Sequence, residues 1–295
     1  MILCYNRKKK AEYSEWTQDM STKKFEGMLI CTDLDGTLLR RDKSISKENL
    51  EAIEYFKAEG GVFTFITGRM PYSSMDIYRA IRPNAPFGCI NGGGLYDPIA
   101  KDYLWMETLS PDVLTLVESV ADQFPEMGIQ INAKERLWFC RENSIMANFR
   151  RVTNTPNLVC GIRDVNEPIG KILFGQANTA EVDRLAEVLP KYPGADRFEF
   201  IRSEEVFFEV LPKGISKGSV LPKLTAHLGL EMARTVAIGD YDNDIRLLQT
   251  AKIGVAVANA SEHAKAAADY ITVSNEEHAM AAVISDIEKG VLRLE

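Results

Sequence analysis

No stretch of the 295-residue chain is long and apolar enough to read as a transmembrane helix, which takes about 20 predominantly apolar residues. The short apolar start Met1-Ile2-Leu3 stands ahead of the basic run Arg7-Lys8-Lys9-Lys10, the reverse of the order in a secretory signal, so none is expected. Histidine is scarce, and His227, His263 and His278 lack metal-ligand spacing; they read as surface or helix residues. The five cysteines, Cys4, Cys31, Cys89, Cys140 and Cys160, form no CxxC or paired spacing, which argues against a disulfide framework and for reduced thiols in a cytosolic (cytoplasmic) protein. Positive charge is also in deficit. Thirty-five Lys and Arg face 42 Asp and Glu, and the net charge of −7 argues against a broad nucleic-acid or anionic-membrane surface. A small phosphorylated metabolite remains acceptable, because charge inside a pocket matters more than the global sum. At 45% hydrophobic residues the chain can bury a large core and is long enough for two domains.

What is present begins with Asp33-Leu34-Asp35-Gly36-Thr37-Leu38, directly after the apolar run Met28-Leu29-Ile30-Cys31-Thr32. Two carboxylates at the end of a buried strand suit phosphoryl transfer. A phosphate ester is anionic, so a carboxylate attacks phosphorus only if a metal screens the repulsion and a second group protonates the leaving oxygen. Asp33 and Asp35 can fill the attacking and protonating roles. Two residues apart, they can lie on one side of the turn, with Gly36 letting the backbone swing away.

Three distant segments fit the same chemistry. The strand-like Gly61-Val62-Phe63-Thr64-Phe65-Ile66 ends in Thr67-Gly68-Arg69 before a helix starting at Pro71, and a strand end feeding a helix start is an anion site. Ser216-Lys217-Gly218 opens a second helix, with Val220, Leu221, Leu224 and Leu228 at helical spacing and Lys217 as a fixed positive charge. Pro222 within that helix removes one backbone hydrogen bond and predicts a kink. Thr235-Val236-Ala237-Ile238 then leads into Gly239-Asp240-Tyr241-Asp242-Asn243-Asp244, an acidic cluster suited to Mg²⁺, which prefers hard oxygen ligands. Taken singly, these are also a capping threonine, a solvated lysine and an acidic turn.

The ordered set resembles the four motifs of the haloacid dehalogenase-like hydrolase superfamily: DxD, a Ser or Thr, a Lys, and an acidic GDxxND segment. Asn91-Gly92-Gly93, Glu209-Val210 ahead of Lys213-Gly214-Ile215-Ser216-Lys217-Gly218, and Asn259-Ala260 look like the Cof-type branch, which carries a large C2-type α/β cap between its second and third motifs. The resemblance implies Asp33 as nucleophile and Asp35 as general acid/base. It implies Leu34 (through its N–H), Thr67, Gly68, Lys217 and Asn243 as phosphate contacts. For Mg²⁺ it implies Asp33, Asp240 and the backbone carbonyl of Asp35, with Asp244 supporting the metal or Lys217. The implied activity is phosphomonoester hydrolysis of a small metabolite, with sugar phosphates the leading class and flavin-pathway or pyridoxal phosphates behind them. A phosphosugar mutase, or a protein that binds a phosphometabolite without turning it over, is the alternative.

Residues 28–90 alternate strand and helix, with Leu50, Ile53 and Phe56 on the buried face of the first helix, and the rhythm resumes near Ile215 through Val236, Val255 and Ile271 to a C-terminal helix bearing Ala279, Val283 and Ile287. This predicts an α/β fold: a doubly wound parallel sheet, a Rossmann-like core of residues 28–94 and 212–295 whose strand ends carry all four motifs. Residues 1–27 read as an N-terminal extension. Residues 95–211 read as an inserted α+β cap: a helix starting at Ser110-Pro111-Asp112, a hairpin over 128–133 and 136–140, a helix over 179–189, and a second hairpin over 197–201 and 205–211. Such a cap excludes solvent and contacts the leaving group. Its polar candidates for specificity are Arg136, Trp138, Arg141, Asn143 and Arg150, each more readily explained as a structural or solvent-facing residue. The oligomeric state is not encoded in any of these signals.

Overall fold

The computed structural model describes residues 23–294 of the chain, so Cys4 and the basic run at residues 7–10 lie outside the described residues. The opening segment alternates β1 (Leu29–Thr32), α1 (Lys47–Ala58), β2 (Val62–Phe65), α2 (Pro71–Ile81) and β3 (Phe87–Cys89), followed by the hairpin β4 (Gly94–Asp97) and β5 (Asp102–Met106). An insertion then runs through α3 (Val113–Gln123), β6 (Gly128–Ala133), β7 (Leu137–Arg141), α4 (Ser144–Val152), β8 (Ile169–Gly175), α5 (Thr179–Val188), β9 (Phe198–Glu204) and β10 (Phe207–Pro212). The alternation resumes with α6 (Lys217–Leu228), β11 (Thr235–Gly239), α7 (Ile245–Thr250), β12 (Ile253–Ala256), α8 (Glu262–Ala267), β13 (Tyr270–Ile271) and α9 (Ala279–Glu288). No helix among the described residues is long and apolar enough to cross a membrane.

The core sheet is parallel, in the order β13-β12-β11-β1-β2, with Leu29 in register between Thr235 and Val62. β3 extends it through a single parallel bridge from Ile66 to Gly88 and carries the β4-β5 hairpin antiparallel on its other side. β1 is buried along its whole length, as a central strand covered on both faces must be, which is why its sequence is apolar without alternation. Helix α1 is capped by Ser46, whose hydroxyl accepts from the Asn49 N–H. Its buried residues are Asn49, Ile53 and Phe56, with Leu50 only half-buried. Asn49 takes the inner position because its side-chain oxygen accepts from the Ala281 N–H at 3.1 Å and ties α1 to α9, while its Nδ2 has no hydrogen-bond partner among the described residues. Helix α6 stays a single helix through Pro222: one intrahelical bond is lost, but buried Val220, Leu221 and Leu224 hold the flanking turns against the sheet.

The insertion forms a five-stranded antiparallel sheet in the order β7-β6-β8-β10-β9, so both expected hairpins are present as its outer pairs. One face packs on α3 and α5 through a core that includes Val117, Val120, Ile131, Ile172, Val182, Leu185 and Val210. The other face is turned to the cleft above the parallel sheet. At the outer edge, the Phe139 N–H donates to the Leu158 carbonyl at 2.8 Å, and Cys140 and Cys160 come within 3.9 Å of each other at sulfur. Nothing in their twenty-residue separation signals that approach.

Phe25 lies ahead of the segment expected to begin the core, yet it is 1% exposed, its ring 4.8 Å from that of Phe56 and edge-on to Tyr55. Phe25→Ala should lower the unfolding free energy by about 3 kcal/mol, as for other buried aromatic truncations, measurable by urea denaturation. A change below about 0.5 kcal/mol, the level of ordinary surface substitutions, would mean that this turn is not part of the cooperative core.

Candidate functional site

All four motif segments end at the carboxyl edge of the parallel sheet. Asp33 leaves β1 with its N–H bonded to the Ile238 carbonyl at 2.8 Å, which pins the first motif beside the strand leading to the fourth. Gly36 adopts φ +84°, and a Cβ there would collide with the Asp240 carboxylate, so the glycine lets the two acidic loops close on each other. The Thr37 hydroxyl donates to Asp240 Oδ1 at 2.7 Å across that contact. Lys217, the first residue of α6, sits behind the N-cap Ser216 and reaches down between the loops. Its Nζ donates to Asp33 Oδ1 and Asp244 Oδ1, both at 2.7 Å, in a site where Lys217 and Asp33 are nearly buried and Asp244 is fully so. The second oxygen of Asp244 accepts from the N–H groups of Asp240 and Tyr241.

Carboxylate oxygens of Asp33, Asp240 and Asp244 all lie within 4.8 Å of one another. Three carboxylates against one ammonium crowd negative charge into a nearly dry place. Burial, reinforced by Asp244 and Asp240, pushes the Asp33 carboxyl well above the usual range against the pull of Lys217. Burial and the charge of Asp244 raise Asp240 to about 7. Burial works against the Lys217 charge, but Asp244 and Asp33 outweigh it and hold its pKa above the ordinary lysine value. A divalent cation balances this donor set in charge and in kind, since every donor is a hard oxygen.

The other wall belongs to the second motif. Thr67 is buried, its N–H on the Gly88 carbonyl and its hydroxyl accepting from the Arg69 N–H at 3.2 Å. Gly68 packs against the Asn91 amide, where a Cβ would press on Asn91 Oδ1. Asn243 lines the same cleft and donates to Asn91 Oδ1 at 3.2 Å. The Leu34 side chain is fully buried in the core, and its carbonyl accepts from Leu39. Asp33, Asp35, Thr67, Gly68, Lys217, Asp240 and Asn243 therefore share one cleft of about 510 Å³.

Arg69 and Lys43 are two charged cleft residues that sequence reasoning left without a role. The Arg69 guanidinium grips Asp35 with two bonds of 2.7 Å, and Lys43 adds a third at 2.7 Å. Burial pushes the Asp35 carboxyl up, but the Arg69 bonds and charge, aided by Lys43, prevail and hold it at about 2. Arg69 was legible, since it follows Thr67-Gly68 directly. Lys43 sits in a polar loop eight residues past Asp35 and carries no signal of its own.

A family model for haloacid dehalogenase-like hydrolases matches residues 30–284. The chain belongs to that family. Among relatives of this hydrolase, the Bacillus subtilis 5-amino-6-(5-phospho-D-ribitylamino)uracil phosphatase YitU is 27% identical over 90% of this chain and 98% of its own length. The Bacillus subtilis phosphatase YwpJ is 28% identical over 86% and 97%. A crystal structure of a haloacid dehalogenase-like hydrolase from Bacteroides thetaiotaomicron superposes with a TM-score of 0.74 at 26% identity, covering 88% of this chain and 99% of that one. Cap and core are both present in this member of the family, and the acidic cluster on this fold supports phosphatase activity.

A buried polar network joins the cap of this hydrolase to its core. Lys171 on β8 donates to Glu209 on β10 at 2.8 Å and to the Gly68 carbonyl at 3.0 Å, while Asn91 donates to the same Glu209 oxygen at 2.7 Å. Lys171 was overlooked, although a lysine set in the otherwise apolar Ile169–Gly175 strand is the kind of irregularity that marks it. The cap residues singled out from sequence serve the cap itself. Arg136 stacks on Trp138 and pairs with Glu167, Arg141 binds the Ala121 and Phe124 carbonyls, Asn143 caps α4, and Arg150 pairs with Glu142.

The Asp35 ion pair sets a pH test. Its native pKa lies below the 3.8 of a free aspartate, so its contribution to stability is full above about pH 4 and is lost as pH falls through about 2. Arg69→Gln should therefore be less stable than the parent chain at pH 6, with the gap narrowing at pH 3. Urea unfolding at the two pH values measures it, and a gap of equal size at both would contradict the ion pair.

Proposed function

We propose that the chain is a Mg²⁺-dependent phosphomonoester hydrolase of the Cof-type branch, with residues 95–211 as its C2-type cap, working through an aspartyl-phosphate on Asp33. The observation that carries this reading is the buried Lys217 ammonium, bonded to Asp33 and Asp244 where four distant segments converge. Asp33 sits at the floor of the cleft with one oxygen held by Lys217, which leaves the other to attack phosphorus in line. Thr67, the backbone of Leu34 and Gly68, and Asn243 surround the place a phosphate would occupy, and Lys217 offsets charge that builds on its oxygens. Asp33, Asp240 and the Asp35 carbonyl would hold the Mg²⁺, with Asp244 bracing Lys217. The ion supplies Lewis-acid screening of the phosphate charge.

Asp35 has two tasks: it protonates the leaving alkoxide, then takes a proton from the water that hydrolyses the aspartyl-phosphate. Held ionised by Arg69 and Lys43, it is arranged as the base. The acid step requires those cations to withdraw, which a substrate drawing Arg69 or Lys43 toward itself would achieve. The resemblance puts sugar phosphates first among substrates, and the name of the relative YitU supports a phosphorylated polyol joined to a ring.

Asp33→Asn should abolish phosphate release from a panel of phosphometabolites while leaving the circular dichroism spectrum intact, and Asp35→Asn should slow turnover by about 10²-fold or more. Excess EDTA should silence the parent enzyme, and added Mg²⁺ should restore it. Near-normal activity of the Asp33→Asn protein, or full activity in EDTA, would overturn the assignment.

A further inference from the structure

At the outer edge of the cap sheet the chain returns beside β7. After α4 it turns and runs parallel to that strand, joined by an isolated bridge between Phe139 and Val159, with the Phe139 N–H on the Leu158 carbonyl at 2.8 Å. One residue further along both segments stand Cys140 and Cys160. Matching positions of parallel strands send their side chains to the same face, and the two sulfurs come to 3.9 Å, in contact but unbonded. Both residues are half-buried, whereas Cys31 and Cys89 are fully enclosed in the core.

Neighbouring strands run about 4.8 Å apart, inside the range of about 4.4–6.8 Å between Cα atoms that a disulfide spans, so rotation about the two Cα–Cβ bonds can bring the sulfurs together. The loop so closed spans twenty residues and contains all of α4. That helix forms a wall of the cleft through Ile145, Asn148, Phe149 and Val152. Among the described residues between α4 and Cys160, only Thr155 is buried, and an isolated bridge at Val159 fixes the segment to β7. A segment held by so few buried contacts opens locally at low cost. Burial pushes both thiol pKa values up, with the Asp164 charge adding to it, so thiolate is scarce and the pair reacts slowly.

We propose that Cys140 and Cys160 are a redox modification site: a dithiol that a small-molecule disulfide converts to an intramolecular disulfide, fastening α4, and with it one wall of the cleft, to the cap sheet. The thiolate of one cysteine attacks a sulfur of the small disulfide and expels its other half as a thiolate. The second cysteine then attacks the protein sulfur of that mixed disulfide and expels the remaining half. Two protein thiols give up two electrons, one small disulfide is reduced to two thiols, and the two protons pass through water to the released thiolates. Neither cysteine lines the cleft, so the site stands independently of the phosphomonoesterase reading.

The test incubates the full chain with glutathione disulfide at pH 8, then alkylates and digests it with trypsin. Peptide 137–141, bearing Cys140, should be joined to peptide 152–163, bearing Cys160, in most molecules, and dithiothreitol should separate them. Cys4→Ser should leave the joined species in place, and Cys160→Ser should remove it. Oxidation should raise the melting temperature of the parent chain by about 5 °C, as expected for closing a loop of this size, and leave that of Cys160→Ser unmoved. Amide hydrogen exchange over residues 144–160 should slow by about fivefold or more. Recovery of the two peptides separately, each alkylated or carrying glutathione, would overturn the site. A joined pair with unchanged exchange over α4 would show that the bond fastens nothing, and would overturn the clamp on the cleft wall.

Discussion

One buried ammonium organises this molecule. Lys217 Nζ bonds Asp33 and Asp244 within a nearly water-free pocket, and each partner would be costly to bury alone. The arrangement holds because the chain surrounds the charge from three directions. β1 delivers Asp33, the loop after β11 delivers Asp244 with its second oxygen on two backbone N–H groups, and α6 presents the lysine from its first turn. Glycines at the tightest approaches, Gly36 under Asp240 and Gly92 under the Ser216 carbonyl, let those segments meet. The same crowding of carboxylates that makes the site electrostatically hungry for a divalent cation is what the fold spends its close packing to create.

A second electrostatic arrangement, at Asp35, works in the contrary sense. There two cations meet one carboxylate near the mouth of the cleft, where side-chain exposure is 20–49%. Solvent screens these bonds far more than those of Lys217, so they are easily exchanged. The site thus couples a rigidly held Asp33 with a second carboxylate, Asp35, on a looser tether, and the acid/base role proposed for Asp35 calls for that looseness.

The parallel core was legible because its strands are short apolar runs closed by motif residues, and because β-α alternation admits few topologies. Asp33, Lys217 and Asp240 were legible for the same reason: each sits at a strand or helix end where position along the chain implies position in space. What escaped depended on pairing between elements. Asn49 replaces Leu50 on a buried helix face only because α9 offers an N–H to it. Phe25 belongs to the core only because Tyr55 and Phe56 turn toward it. In the cap, arginines drew attention by their charge, yet they cap carbonyls and pair at the periphery, whereas the cleft is lined by Asn132, Leu173 and Phe207, whose residue types are unremarked in any strand until register and a bulge decide which face they share.

The Lys171–Glu209–Asn91 link bears on how such enzymes diversify. One route to a new substrate range would be to graft a foreign cap onto this core. Here the graft boundary passes through a buried ion pair whose third member, Asn91, and whose carbonyl acceptor, on Gly68, belong to the recipient. A foreign cap lacking the Lys171 and Glu209 equivalents would strand Asn91 in the interior and loosen the Gly68 peptide at the anion wall. A cap exchange that spares this core would therefore have to keep Lys171 and Glu209 on β8 and β10, since they make the bonds to Gly68 and Asn91.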